Sequence, residues 1–186
     1  MAAKTLFIPV AALGQADKID FLELAITPAS DKAPRHDPFQ RLAQPGLEQA
    51  EAAAWQAWET ILPPVAVNVR VASPIFGLTN STGAALGLAL CPFLCAPGAA
   101  YRVAIVMGGL EGGVQVSAVA NLAAKLRAIR RFGYREEPTL LIYASDGTEE
   151  ARQEAAGLAA LNIAVRQVET FNQACLAGVG ELALSK

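Results

Sequence analysis

From Ala84 to Leu94 the sequence carries no charged, hydroxyl or amide side chain. A helix that is apolar all round has to be enclosed all round, and this stretch is far shorter than the roughly 20 apolar residues of a membrane span. The helix predicted over Ser81–Cys95 is therefore a buried central element, with Pro92 expected to kink or shorten it. Every other part of the chain has to supply a layer around it.

The flanking patterns supply those layers. Thr5–Leu13 and Asp20–Pro28, split by Gly14-Gln15-Ala16-Asp17-Lys18, predict a β-hairpin. The N-terminal run also imitates the apolar region of a signal peptide, but only Lys4 precedes it and strand alternation accounts for it equally well. Leu47–Leu62 has helical spacing and stops at Pro63-Pro64, with Trp55 and Trp58 as core anchors. Val65–Ala72 alternates valines with Ala66, Asn68, Arg70 and Ala72, as a half-buried strand does. Tyr101–Met107 and Val114–Val119 read as strands of a second hairpin joined through Gly108–Gly113. Helices follow over Ala120–Phe132, Thr148–Leu161 and Thr170–Leu182, with strands over Thr139–Ala144 and Ile163–Val168.

At 186 residues the chain fits one domain, 1–186. Its 15 basic and 17 acidic residues give a net charge of −2 with no basic run beyond Arg130-Arg131, so nucleic acid is a poor partner. Hydrophobic residues make up 53% and charged ones 17%, and no run reaches membrane-spanning length. The apolar surplus is expected in the core or in an interface. Cys91, Cys95 and Cys175 make no disulfide framework, and Cys-x3-Cys without further ligands is no zinc site, so they read as buried structural cysteines of a reducing, cytoplasmic protein. No metal and no cofactor is expected.

Two residues stand out chemically. Ser81 opens the apolar helix within Thr79-Asn80-Ser81-Thr82-Gly83, and Lys125 lies on the apolar side of a later helix. The only histidine, His36, sits in a polar stretch that reads as a loop, so a Ser-His-Asp triad is improbable and lysine is the better base. On a helical wheel Lys125 falls near Ala118 and Ile129 and about 160° from Arg127. An amine pressed against that seam loses hydration, its pKa falls, and its neutral form can take a serine proton. The plainer alternatives are a lysine snorkelling from the rim of the buried face and a serine that only caps a helix.

The order of elements and two motifs make the chain resemble the proteolytic domain of Lon proteases over most of its length. In that family a turn of the form Gly-Pro-Ser-Ala-Gly opens an apolar helix, as Thr79-Asn80-Ser81-Thr82-Gly83 does here. A strand, a glycine-containing hairpin and a helix with Gly-Gly-x-x-x-Lys then follow, as Val103–Gly113 and Ala120-Asn121-Leu122-Ala123-Ala124-Lys125 do here. The resemblance implies an α+β fold of Lon proteolytic-domain type, a mixed sheet with helices packed against it. It implies Ser81 as nucleophile and Lys125 as general base, with Asn80 or Thr82 orienting the amine. The departures are Leu78 for the family's acidic residue, Gly108 for its threonine, and Ala120-Asn121 for its paired glycines.

The resemblance further implies a peptide or protein substrate and a homo-oligomer. The sequence has no Gly-x4-Gly-Lys-Ser/Thr phosphate loop, so ATP-driven feeding would fall to a separate ATPase. One alternative is a non-catalytic Lon-like interaction domain. Another, more remote, is a small-molecule kinase relative, for which Gly77–Gly83 is a loose phosphate-loop likeness.

Overall fold

The computed structural model describes residues 4–12, 14–29, 46–61, 66–73 and 82–179. Strands β1 (Lys4–Ala12) and β2 (Gln15–Pro28) form the expected N-terminal hairpin. Pairing runs from Lys4↔Ile26 to Ala12↔Gln15, so β2 absorbs most of the predicted loop and the turn is tighter than expected. Helix α1 (Glu48–Thr60) follows, and strand β3 (Val67–Ser73) pairs antiparallel with β2.

A 3-10 turn (Thr82–Ala84) leads into helix α2 (Ala85–Leu94), all ten residues of which are buried. Pro92 lies in its last turn, and the helix ends two residues later. Strand β4 (Val103–Met107) then runs parallel to β1. The small hairpin of β5 (Gly109–Glu111) and β6 (Gln115–Ser117) precedes helix α3 (Leu122–Ile129), which tightens into a 3-10 turn over Arg130–Phe132. Strand β7 (Thr139–Tyr143), helix α4 (Glu149–Ala159), strand β8 (Ile163–Gln167) and helix α5 (Phe171–Val179) complete the described chain.

The main sheet has six strands in the order β3-β2-β1-β4-β7-β8. Its β1–β2–β3 part is antiparallel and its β1–β4–β7–β8 part is parallel. The fold is thus mixed α and β, with the mixed sheet and packed helices that the sequence led one to expect. Composition follows topology. The inner strands β4 and β7, Val-Ala-Ile-Val-Met and Thr-Leu-Leu-Ile-Tyr, are buried throughout, as parallel strands covered on both faces must be. The edge strand β3 alternates instead.

One expectation is corrected here. β4 was to be one arm of a hairpin with 114–119, but it pairs with β1 and β7, and a separate two-stranded ribbon of β5 and β6 stands after it. The physical reason is that β4 is apolar on both faces and belongs inside a covered sheet, while the adjacent glycines let the chain turn away at its end.

Helices cover both faces. Leu6, Ile8, Leu22, Leu24, Val106 and Ile142 point to the side packed by α1, α2 and α5. Phe7, Phe21, Ile105, Met107, Leu141 and Tyr143 point to the side packed by α3 and α4. α2 is held between the sheet, α1 and α5, with Trp58 Nε1 of α1 donating to its Ala89 carbonyl at 2.8 Å and Phe93 meeting Phe171 edge-on at 5.8 Å. Gly87 lets it sit on β1, because a Cβ there would come within 2.7 Å of Ile8 Cδ1. Among the described residues the apolar side chains fill these two cores. Among the described residues only Val114 and Tyr134 are large hydrophobic side chains left exposed, and none of the helices is long and apolar enough to cross a membrane.

Candidate active site

Lys125 sits in the second turn of α3, on the face that carries Leu122, Leu126 and Ile129 into the core. It retains 7% of its exposure, and with Thr139 it is one of two buried polar residues among those described. Its stem lies along that apolar face while its amine keeps some contact with solvent, since no fully buried side-chain nitrogen or oxygen among the described residues lacks a partner. No described side chain forms an ion pair or hydrogen bond with its amine. Burial alone lowers its pKa from 10.5 to about 8, since the charged form loses hydration without gaining an anion. The nearby Arg127 and Arg130 behave oppositely, reaching out to Glu150 and Glu154 of α4 at 2.7 to 3.0 Å. The wheel separation read from sequence is therefore realised: the arginines bind helix to helix on the surface while the lysine turns inward.

The start of α3 explains how the lysine gets there. Asn121 has φ 56° and ψ 38°, the left-handed conformation, and its carbonyl accepts from Lys125 N at 3.0 Å. Asparagine tolerates this region better than other non-glycine residues.

Ser81 and Asn80 lie outside the described residues, as does the Leu78 position. Thr82 begins the 3-10 turn and is exposed. The residue after it is informative. A Cβ on Gly83 would come within 2.9 Å of Val119 Cγ1, so the backbone two residues from Ser81 packs against the residue six positions before Lys125. Gly108 ties the same turn to the end of β4, its amide donating to Gly83 O at 3.4 Å and its carbonyl accepting from Leu86 N at 3.1 Å. A side chain at Gly108 would strike Val116 and Leu86, which gives a packing reason for glycine there.

The α-helix proper begins at Ala85, later than the predicted start, with Ala84 at its cap position and no side-chain cap; the capping alternative for Ser81 lies outside the described residues. The Leu86 amide, in the first turn of the helix, donates to the Gly108 carbonyl. The cysteines follow expectation: all three are free and buried, and burial pushes the thiols up, to about 11 for Cys95 and about 12 for Cys175, with Cys91 higher still. The left-handed turn at Asn121 and the Gly83–Val119 contact escaped the sequence reading. The only signal for either was the Ala-Asn pair that interrupts the apolar periodicity ahead of Lys125. No protein-family model and no curated protein sequence matches the chain.

Proposed function

We propose that the chain is a serine peptidase of Lon type in which Ser81 is the nucleophile and Lys125 the general base. The observation that carries this reading is a buried lysine without an acid partner, its pKa lowered to about 8, on the helix that follows a strand and a glycine hairpin. The contact of Gly83 with Val119 supports it by linking the chain next to Ser81 with the approach to that helix. In this chemistry the neutral Lys125 amine takes the Ser81 hydroxyl proton as Oγ attacks a peptide carbonyl. The resulting ammonium gives the proton to the leaving amine; the free amine then takes a proton from the water that attacks the acyl ester and passes it to Ser81 Oγ as the ester bond breaks and the acid product leaves. The substrate is a peptide or protein, worked on in a homo-oligomer and fed, where energy is required, by a separate ATPase.

The test is reaction with a fluorophosphonate or a peptide boronate. Ser81 should be modified in the native chain, and both Ser81→Ala and Lys125→Ala should lose labelling and peptide hydrolysis together. Labelling that is unchanged in Lys125→Ala, or absent throughout with no hydrolysis, would leave a non-catalytic interaction domain as the better account.

A further inference from the structure

Away from Lys125 the described residues line a half-open pocket of about 410 Å³ between β1, β2, the end of β3 and the turn after α3. Phe7, Phe21 and Phe132 form its floor, with ring centroids 4.7, 4.8 and 6.4 Å apart. Two guanidinium groups lie on these rings: Arg131 Cζ is 4.0 Å from the Phe21 centroid, and Arg135 Cζ is 4.9 and 4.7 Å from those of Phe7 and Phe132. A guanidinium resting over an aromatic face is restrained in position and keeps N–H groups for a planar acceptor.

Among the described residues those N–H groups are unused. Arg102, Arg127, Arg130 and Arg152 each reach a glutamate, whereas no described carboxylate lies within ion-pair distance of Arg131 or Arg135. Yet Glu23, on the sheet face of Phe21 and in register with Ser73, lines the same pocket, as does Asp20. Both signs of charge are thus present without neutralising one another. An anion alone would be repelled by Glu23, and a cation alone by the two guanidiniums. A molecule with a carboxylate at one end and an ammonium at the other meets both demands, and the volume is at the lower end of the range of about 300–1,000 Å³ for small-molecule sites.

We propose that this pocket binds a small zwitterion of dipeptide size, with its carboxylate on Arg131 and Arg135 and its ammonium on Glu23. The proposal does not depend on the peptidase reading, because Lys125 is not among the described residues that line the pocket. The experiment is a titration of the full chain with alanyl-alanine, followed by amide and side-chain NMR and repeated with Ser81→Ala so that hydrolysis cannot consume the probe. Expected are saturable shifts at Phe21, Glu23, Arg131, Phe132 and Arg135, and affinity at least about tenfold weaker for the C-terminal amide and for the N-acetyl form of the same dipeptide. Arg135→Gln and Glu23→Gln should each weaken the parent dipeptide to a similar degree. Because the ligand changes leave the protein untouched, they decide the matter even if a variant folds poorly. No shift at these residues by about 10 mM dipeptide, or equal binding of acid and amide, would overturn the proposal and leave the arginines as a seal over the aromatic floor.

Discussion

Lys125 is where local chemistry is most exposed to test. A lysine with a native pKa near 8 and an unfolded value of 10.5 is charged in both states below about pH 8, and there the native protein bears the full desolvation penalty. Between pH 8 and 10.5 the unfolded chain holds the extra proton, so stability rises with pH across that window. The penalty is on the order of 3 kcal/mol. Lys125→Met should therefore stabilise the protein at pH 7, by about 1–3 kcal/mol in urea denaturation, and the gain should shrink toward pH 10.5. The same amine predicts the rate profile: kcat/KM for a peptide should climb with pH to a plateau above an apparent pKa of about 8, because only the neutral amine accepts a proton. A flat profile from pH 6 to 10 would count against Lys125 as base. The thiols make a second residue-scale prediction. Cys91, Cys95 and Cys175 are buried with raised pKa values, so iodoacetamide at pH 8 should leave them unmodified in the native state and alkylate all three after denaturation.

The elements show how much a short motif needs its surroundings. Gly112 and Gly113 turn the β5–β6 hairpin with φ of 58° and 71°, and the paired glycines signalled such a turn in the sequence. What could not be read there is that the turn presses on another element: a Cβ at Gly113 would stand 2.8 Å from Gln56 O of α1, whereas one at Gly112 would meet nothing within 4 Å. Gly112→Ala should cost about 1 kcal/mol, the left-handed strain alone. Gly113→Ala should cost about 2–3 kcal/mol, because strain and backbone collision act together. Equal losses in thermal denaturation would mean that the hairpin does not rest on α1. The helices were legible for a related reason. α1 and α4 lie near their predicted spans because spacing, prolines and the Thr148 cap are local signals, while the partner of β4 was misread because strand pairing is decided by distant residues.

At the level of the whole molecule, the sheet divides the described chain into two cores, with α2 buried in one and Lys125 at the border of the other. β4 and β7 belong to both, so their amides should exchange with deuterium slowest, and those of the edge strands β3 and β8 fastest. Slow exchange confined to the α1, α2 and α5 side would show that the cores open separately. By itself the sequence determined that an all-apolar helix must be enclosed, that mixed strands and helices enclose it, that the cysteines are inert, and that Lys125 parts company with its arginine neighbours. Those outcomes depend on the period and polarity of contiguous residues. The tertiary structure decided which strands pair, the left-handed entry at Asn121, the docking of Gly83 on Val119, and the meeting of Phe7, Phe21, Arg131 and Arg135 around one pocket. These depend on contacts between residues far apart in the chain, whose energies are set only when the sheet and its two helical layers close on one another.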